Sequence, residues 1–216
     1  MGISQSHFFH IPPVPDDHLE RTHMESGYRI IAGVDEAGRG PLAGPVVAAA
    51  VILLWPNNIT GLNDSKKLTP KERENLYEVI FKNSISVGVG IASNQEIDEF
   101  DILRATLQAM KEAVENLTPR PDLLLIDGMQ KIPLSVSQKA IKKGDQQSVS
   151  IAAASIIAKV SRDRMMELLH RKYPGYNFAK NKGYGTREHL TALTELGISP
   201  VHRKTFRPVR EKICEG

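Results

Sequence analysis

The chain of 216 residues is 41% hydrophobic and 25% charged, with a formal net charge of +3; this is the balance of one soluble globular domain long enough to bury a core. No apolar run approaches the roughly 20 residues that a membrane-crossing helix needs, and residues 1–21 lack the apolar segment of a secretory signal, so no membrane partner is expected. One cysteine, Cys214, excludes an intrachain disulfide and leaves the reducing cytoplasm as the expected compartment.

In residues 1–27, Pro12, Pro13 and Pro15 stand close together, which reads as an irregular extension. A chain starting near Ser26 is expected to fold and function, with 28–216 as one domain. A first strand is expected over 29–35, closed by the adjacent carboxylates Asp35 and Glu36. A second covers 46–54, nearly all apolar and hence buried, and the glycine-rich turn between them makes a hairpin plausible. Thr69, Pro70 and Glu72 form a helix start: a cap, a proline in the first turn and a glutamate three after the cap. That helix runs to about 82.

A third strand covers 86–92. A helix over about 102–117 puts Leu103, Leu107, Met110 and Val114 on one face. After Pro119 and Pro121, residues 123–126 read as a short buried strand ending at Asp127-Gly128. Ala140 and Ile141 lead to a further strand end at Lys142-Lys143-Gly144-Asp145. From Ser148 to about 172 a long helix changes from apolar to charged, as if it starts under the sheet and emerges into solvent. A final helix over 187–196 is stopped by Gly197. This order fits a layered α/β domain with a mixed sheet.

The chemistry concentrates at strand ends. Carboxylates there suit a hard divalent cation, which takes oxygen ligands. The bare backbone of Gly38-Arg39-Gly40, with its one arginine, suits close approach to a phosphate or sugar. Read singly, Asp127 is also a turn-forming Asp-Gly and Asp145 a helix cap. Read together, Asp35, Glu36, Asp127 and Asp145 converge on one or two ions able to assist phosphoryl transfer. From Lys131 to Arg187, twelve basic residues stand against Asp145, Asp163 and Glu167. This bias suits a polyanion partner or a solvated helix face.

Several segments resemble bacterial ribonuclease HII, a type 2 ribonuclease H. They are Gly33 to Val46, Asp64-Ser65-Lys66-Lys67-Leu68, Ile126-Asp127-Gly128, Lys143-Gly144-Asp145, Ser150 to Asp163, Asn181 to Thr186, and Glu188-His189. They stand in the family's order from about residue 28 onward.

The resemblance implies a ribonuclease H-like α/β fold, a mixed central sheet flanked by helices, with a helical C-terminal part from about 173. It implies a monomer that hydrolyses the RNA strand of RNA–DNA hybrids and cuts at ribonucleotides embedded in duplex DNA. It implies Mg²⁺ or Mn²⁺ as cofactor, and 5′-phosphate and 3′-hydroxyl ends. By motif, Asp35, Glu36, Asp127 and Asp145 become the metal-binding carboxylates. Gly38, Arg39 and Gly40 would sense the 2′-hydroxyl, Tyr184 would stack on the next sugar, and Lys66 and Lys67 would contact phosphate. Ser155 reads as helix packing, His189 either as a contact to the site or as a helix-start or core residue, and Met165-Met166 as core. Two alternatives stand beside this reading. A resolvase-type nuclease of the same fold has no need to read a 2′-hydroxyl. A noncatalytic binding module has no use for four carboxylates that repel phosphate.

Overall fold

The computed structural model describes residues 14–215. Five strands form one mixed sheet: β1 (Ile31–Ala37), β2 (Val46–Leu53), β3 (Ser84–Ala92), β4 (Leu123–Asp127) and β5 (Ser137–Ile141). Their order is β3-β2-β1-β4-β5. β1 and β2 are an antiparallel pair, as are β2 and β3, whereas β4 runs parallel to both β1 and β5.

Eight helices accompany the sheet among the described residues: α1 (His18–Glu25), α2 (Pro70–Lys82), α3 (Asn94–Phe100), α4 (Ile102–Glu115), α5 (Val149–Lys172), α6 (Phe178–Asn181), α7 (Arg187–Leu196) and α8 (Arg207–Glu215). None is long and apolar enough to cross a membrane.

Helices cover both faces of the sheet, which explains why β2 is apolar throughout rather than alternating. On one face Ala32, Val34, Ala48, Ala50, Leu124 and Ile126 pack with Ala105, Ala109 and Ala113 of α4. On the other, Ala49, Val51 and Leu53 pack with Ala152, Ala153, Ile156 and Ile157 of α5. Helix α5 lies so close on β1 that a Cβ at Gly33 would sit 2.1 Å from the Ser150 carbonyl carbon. That contact aims α5 along the strand carrying Asp35.

The expected elements are present, with differences that matter for the site. β1 extends to Ala37, so Asp35 and Glu36 stand one residue inside its end rather than closing it; pairing with Ala49 and Ala48 holds both. Helix α2 has the expected capping box. The same signature, Ser93 with Glu96, starts the unexpected α3. Residues 187–196 are not the final helix, because α8 follows. The second half of α5 does not simply emerge into solvent: Arg162 is buried against the carbonyls of Ala43, Pro45 and Lys182.

The N-terminal extension also differs from the irregular stretch expected. Residues 1–13 lie outside the described residues, but His18–Glu25 is helical. Glu20 of α1 is fully buried. Its Oε1 accepts from the Ser148 hydroxyl and from the Ser150 N–H at 2.9 Å, at the start of α5. A chain starting near Ser26 would lose this anchor.

Candidate active site

Successive residues of a strand point to opposite faces. Asp35 therefore faces α5 and Glu36 faces α4, with both near the same end of β1. Asp35 is 5% exposed. Burial, then the charges of Glu36 and Asp127, hold its carboxyl well above the ordinary aspartate range, while the Ser155 hydroxyl on α5 favours the charged form. Burial likewise raises Glu36, against the pull of Arg39, whose Nη1 lies 3.3 Å from Glu36 Oε1.

The register of β1 on β4 sets Val34 opposite Ile126, so Asp35 and Asp127 occupy adjoining strand ends. Asp127 Oδ1 accepts from the Gly144 N–H at 2.7 Å. This bond ties β4 to the 3-10 turn Gly144–Gln146, which presents Asp145. Asp145 is pushed up to about 6 by burial, then by Asp127 and Asp64.

The four carboxylates predicted from sequence thus lie toward the same end of the adjoining strands β1 and β4 and of the turn after β5, where the charge of Asp127 raises Asp35, Glu36 and Asp145. Among the described residues, no three acidic, histidine or cysteine side chains are gathered tightly enough to hold an ion as they stand. The donors present are carboxylate oxygens, which fit a hard divalent cation.

Lys66 sits among the carboxylates. Burial lowers its pKa, but Asp64, Asp35, Asp145 and Asp127 together outweigh that and raise it. Its loop is built by Asp64, whose Oδ1 accepts from the Lys66 N–H at 2.9 Å. Arg73 of α2 adds bonds from Nη1 to the carbonyls of Ser65 (2.8 Å) and Leu68 (2.6 Å). Lys67 is exposed and does not line the cleft.

A cleft of about 180 Å³ opens beside the carboxylates, lined by Asp35, Glu36, Gly38, Arg39, Gly40, Lys66 and Tyr184 together with Ser65, Ser155, Lys159 and Arg162. Asp127 lines a smaller recess with Glu36, Arg39 and Met129.

The two glycines of the loop differ. Gly38 has φ +98°, and a Cβ there would fall 1.9 Å from Arg162 Nε. The protein itself requires that glycine. A Cβ at Gly40 would meet only Tyr184 Cε1, at an ordinary 3.6 Å. The backbone at Gly40 is therefore bare toward the cleft, next to a tyrosine ring that is 47% exposed. Gly183 O accepts from the Leu42 N–H at 2.8 Å and the Tyr184 N–H donates to Asn181 O at 2.9 Å, making a tight turn.

Two arginines clamp the loop from behind. Arg162 donates to the carbonyls of Pro45, Lys182 and Ala43 at 2.9, 3.0 and 3.3 Å. Arg203 donates to those of Gly38, Arg39 and Gly44 at 2.6–3.0 Å. Burial pulls Arg162 down to about 10 and Arg203 to about 9; both remain charged at neutral pH.

Sequence reasoning missed several of these roles. Ser155, read as packing, faces Asp35 and lies 3.0 Å from the Ser65 hydroxyl. Arg162, counted among the basic residues of 131–187, is an internal clamp. Lys159, Arg164, Lys180 and Lys182 from the same segment pair with Asp163, Glu74, Glu188 and Glu167. Lys139, Lys142 and Lys143 are exposed, with no ion-pair partner among the described residues.

A family profile described as Ribonuclease HII matches residues 32–209 of this chain. The chain belongs to the ribonuclease HII family. A ribonuclease HII of Syntrophus aciditrophicus (strain SB) is 60% identical over 191 residues, covering 88% of this chain and 90% of that protein. One of Geobacter sulfurreducens is 54% identical over 213 residues, covering 99% and 98%. The crystal structure of ribonuclease H2 from Pyrococcus horikoshii OT3 superposes with a TM-score of 0.75 at 28% identity, covering 87% of this chain and 98% of that one. As a ribonuclease HII, the chain is an endoribonuclease that hydrolyses RNA paired with DNA.

Proposed function

We propose that this ribonuclease HII acts as a cytoplasmic monomer that cuts RNA–DNA hybrids and also single ribonucleotides embedded in duplex DNA. It leaves 5′-phosphate and 3′-hydroxyl ends and uses Mg²⁺ or Mn²⁺. The observation that carries this reading is the pairing of a bare Gly40 backbone with the exposed Tyr184 ring on the wall of the cleft that Asp35 and Glu36 also line.

A 2′-hydroxyl distinguishes RNA from DNA at one sugar, and reading it needs backbone at contact distance. Gly40 offers that approach, and Arg39 offers a charged fork to the adjoining phosphate. The Tyr184 ring supplies a stacking face for the following sugar. Lys66 brings positive charge to the phosphodiester at the carboxylate edge. Asp35, Glu36, Asp127 and Asp145 would hold the cation, and the Ser155 hydroxyl favours the charged form of Asp35 against the burial that raises it. When bound, a divalent ion activates water and stabilises the leaving oxygen in phosphoryl transfer. A noncatalytic module is disfavoured by the same four carboxylates, which repel phosphate without a cation.

The test is a duplex with one ribonucleotide, incubated with Mg²⁺, with Mn²⁺ or with chelator. Cleavage at the ribonucleotide with either ion, and none with chelator, is expected. Cutting in chelator removes the metal from the mechanism. Cutting of an RNA–DNA hybrid but not of the single-ribonucleotide duplex removes the reader.

A further inference from the structure

The ribonucleotide reader has two halves on different elements. Gly38-Arg39-Gly40 follows β1, and Tyr184 precedes α7. Resting on the reading of these groups given above, we propose that His202 and Arg203 are positioning residues that hold the two halves in register. Both lie on the segment between α7 and α8, which touches neither the carboxylates nor the open cleft.

The segment is docked on the loop after β1. Ala43 bridges His202, the Arg203 N–H donates to Leu42 O at 2.8 Å, and the Gly44 N–H donates to Val201 O at 2.9 Å. From there the two side chains reach in different directions.

Arg203 takes the first half. Its Nη2 donates to Gly38 O at 2.6 Å and its Nη1 to Arg39 O at 2.9 Å, while Nε and Nη2 both reach Gly44 O. One rigid guanidinium thus sets three carbonyls at once. A lysine carries the charge but not the planar fork.

His202 takes the second half through His189. The Ser199 N–H and hydroxyl lie 2.9 and 2.8 Å from His202 Nδ1; the hydroxyl can play either role, but the N–H can only donate, so Nδ1 accepts. The proton of a neutral His202 is then on Nε2, 3.0 Å from His189 Nε2, which accepts it. His189 in turn carries its proton on Nδ1 and donates to Tyr184 O at 2.9 Å, an oxygen that can only accept. Every donor points the same way, from Ser199 to the backbone of Tyr184. The rings of Tyr176 and Phe178 enclose both imidazoles. Burial lowers both histidines, taking His202 to about 4, so both are neutral at pH 7. A phenylalanine would fill either space and pass on no hydrogen bond.

Two experiments on the full chain test this. The first is ¹⁵N NMR of the imidazoles at neutral pH. The expected result is two neutral rings, His202 protonated on Nε2 and His189 on Nδ1; a charged ring or the opposite tautomer overturns the relay without any substitution.

The second measures single-turnover cleavage of a one-ribonucleotide duplex by His202→Phe, Tyr184→Ala, their double variant and Arg203→Lys. His202→Phe is expected to be about tenfold slower, the effect of one lost buried hydrogen-bond link. The double variant should be no slower than Tyr184→Ala alone, because the histidine acts only through that tyrosine. The same fold-loss in both backgrounds overturns the proposal, as does a wild-type rate for His202→Phe or Arg203→Lys. A wild-type rate for Tyr184→Ala is a different result: it refutes the reader itself, and this proposal with it. If His202→Phe does not fold, the NMR result and Arg203→Lys decide.

Discussion

Glu20→Ala should destabilise the protein although the residue belongs to none of the site motifs. The Glu20 carboxylate is fully buried and accepts from the Ser148 hydroxyl and the Ser150 N–H. Hydrogen bonds to a charged group contribute about 1.5–3 kcal/mol each. Against this, Glu20 Oε2 and the Ser150 hydroxyl are buried without partners, and burial raises the Glu20 pKa. A raised carboxyl pKa means that its charge costs stability once the pH exceeds the ordinary glutamate value. The net loss for Glu20→Ala is then about 3 kcal/mol, and the thermal midpoint of a chain this size falls by roughly 6–12 °C.

Glu20→Gln should lose under about 1 kcal/mol, since the amide keeps an acceptor, removes the buried charge and offers a donor to the free Ser150 hydroxyl. Circular dichroism at 222 nm during heating at pH 7 measures all three proteins. A Glu20→Ala midpoint within about 1 °C of wild type refutes the anchor. It would also restore the expectation that a chain starting near Ser26 is sufficient.

Asp35→Asn and Asp127→Asn should each slow cleavage by several orders of magnitude while binding of a hybrid duplex survives, as gel-shift and cleavage assays can compare. Asp35→Asn should keep or raise the thermal midpoint, because it relieves the burial and repulsion that raise this carboxyl; a wild-type rate for Asp127→Asn would remove that residue from the site. Gly38→Ala and Gly40→Ala should separate fold from recognition. The first lowers the midpoint, since it strains a φ of +98° and strikes Arg162, whereas the second leaves the midpoint alone and slows only substrate cleavage. Identical behaviour of the two would contradict that division. Binding of a DNA duplex with one ribonucleotide should weaken with salt by a slope of roughly −0.9 per neutralised phosphate, the value for B-form DNA. Lys142→Ala with Lys143→Ala should flatten the slope, whereas Lys180→Ala should not, because Lys180 already faces Glu188.

The carboxylates and the reader were legible in the chain because each sits beside a local signal. Asp35 and Asp127 end apolar runs, Asp145 follows Lys142-Lys143-Gly144, and Gly38-Arg39-Gly40 is a compact motif. Helix α2 announced itself by its capping box, and α3 carries the same signature, so that element was readable and overlooked. Nothing local marks Glu20 in a proline-containing stretch as a buried anchor, because its partners, Ser148 and Ser150, lie about 130 positions away in sequence.

Sequence alone determined the residue types and periodicities: which runs are strands, where caps and glycines fall, and that four oxygen-donor side chains stand at element ends. Tertiary structure decided which charges face water and which face carbonyls. Arg162 and Arg203 look in the chain like any other basic residues, yet they are 1% and 0% exposed and bond only to backbone oxygens. The same holds for the two glycines of the reader. Both are equally permissive as residues, but a φ of +98° and the packed Arg162 make Gly38 obligatory, whereas the open cleft leaves Gly40 bare. Burial and hydrogen-bond direction depend on what the rest of the fold brings alongside, and a linear sequence does not carry that information at the residue itself.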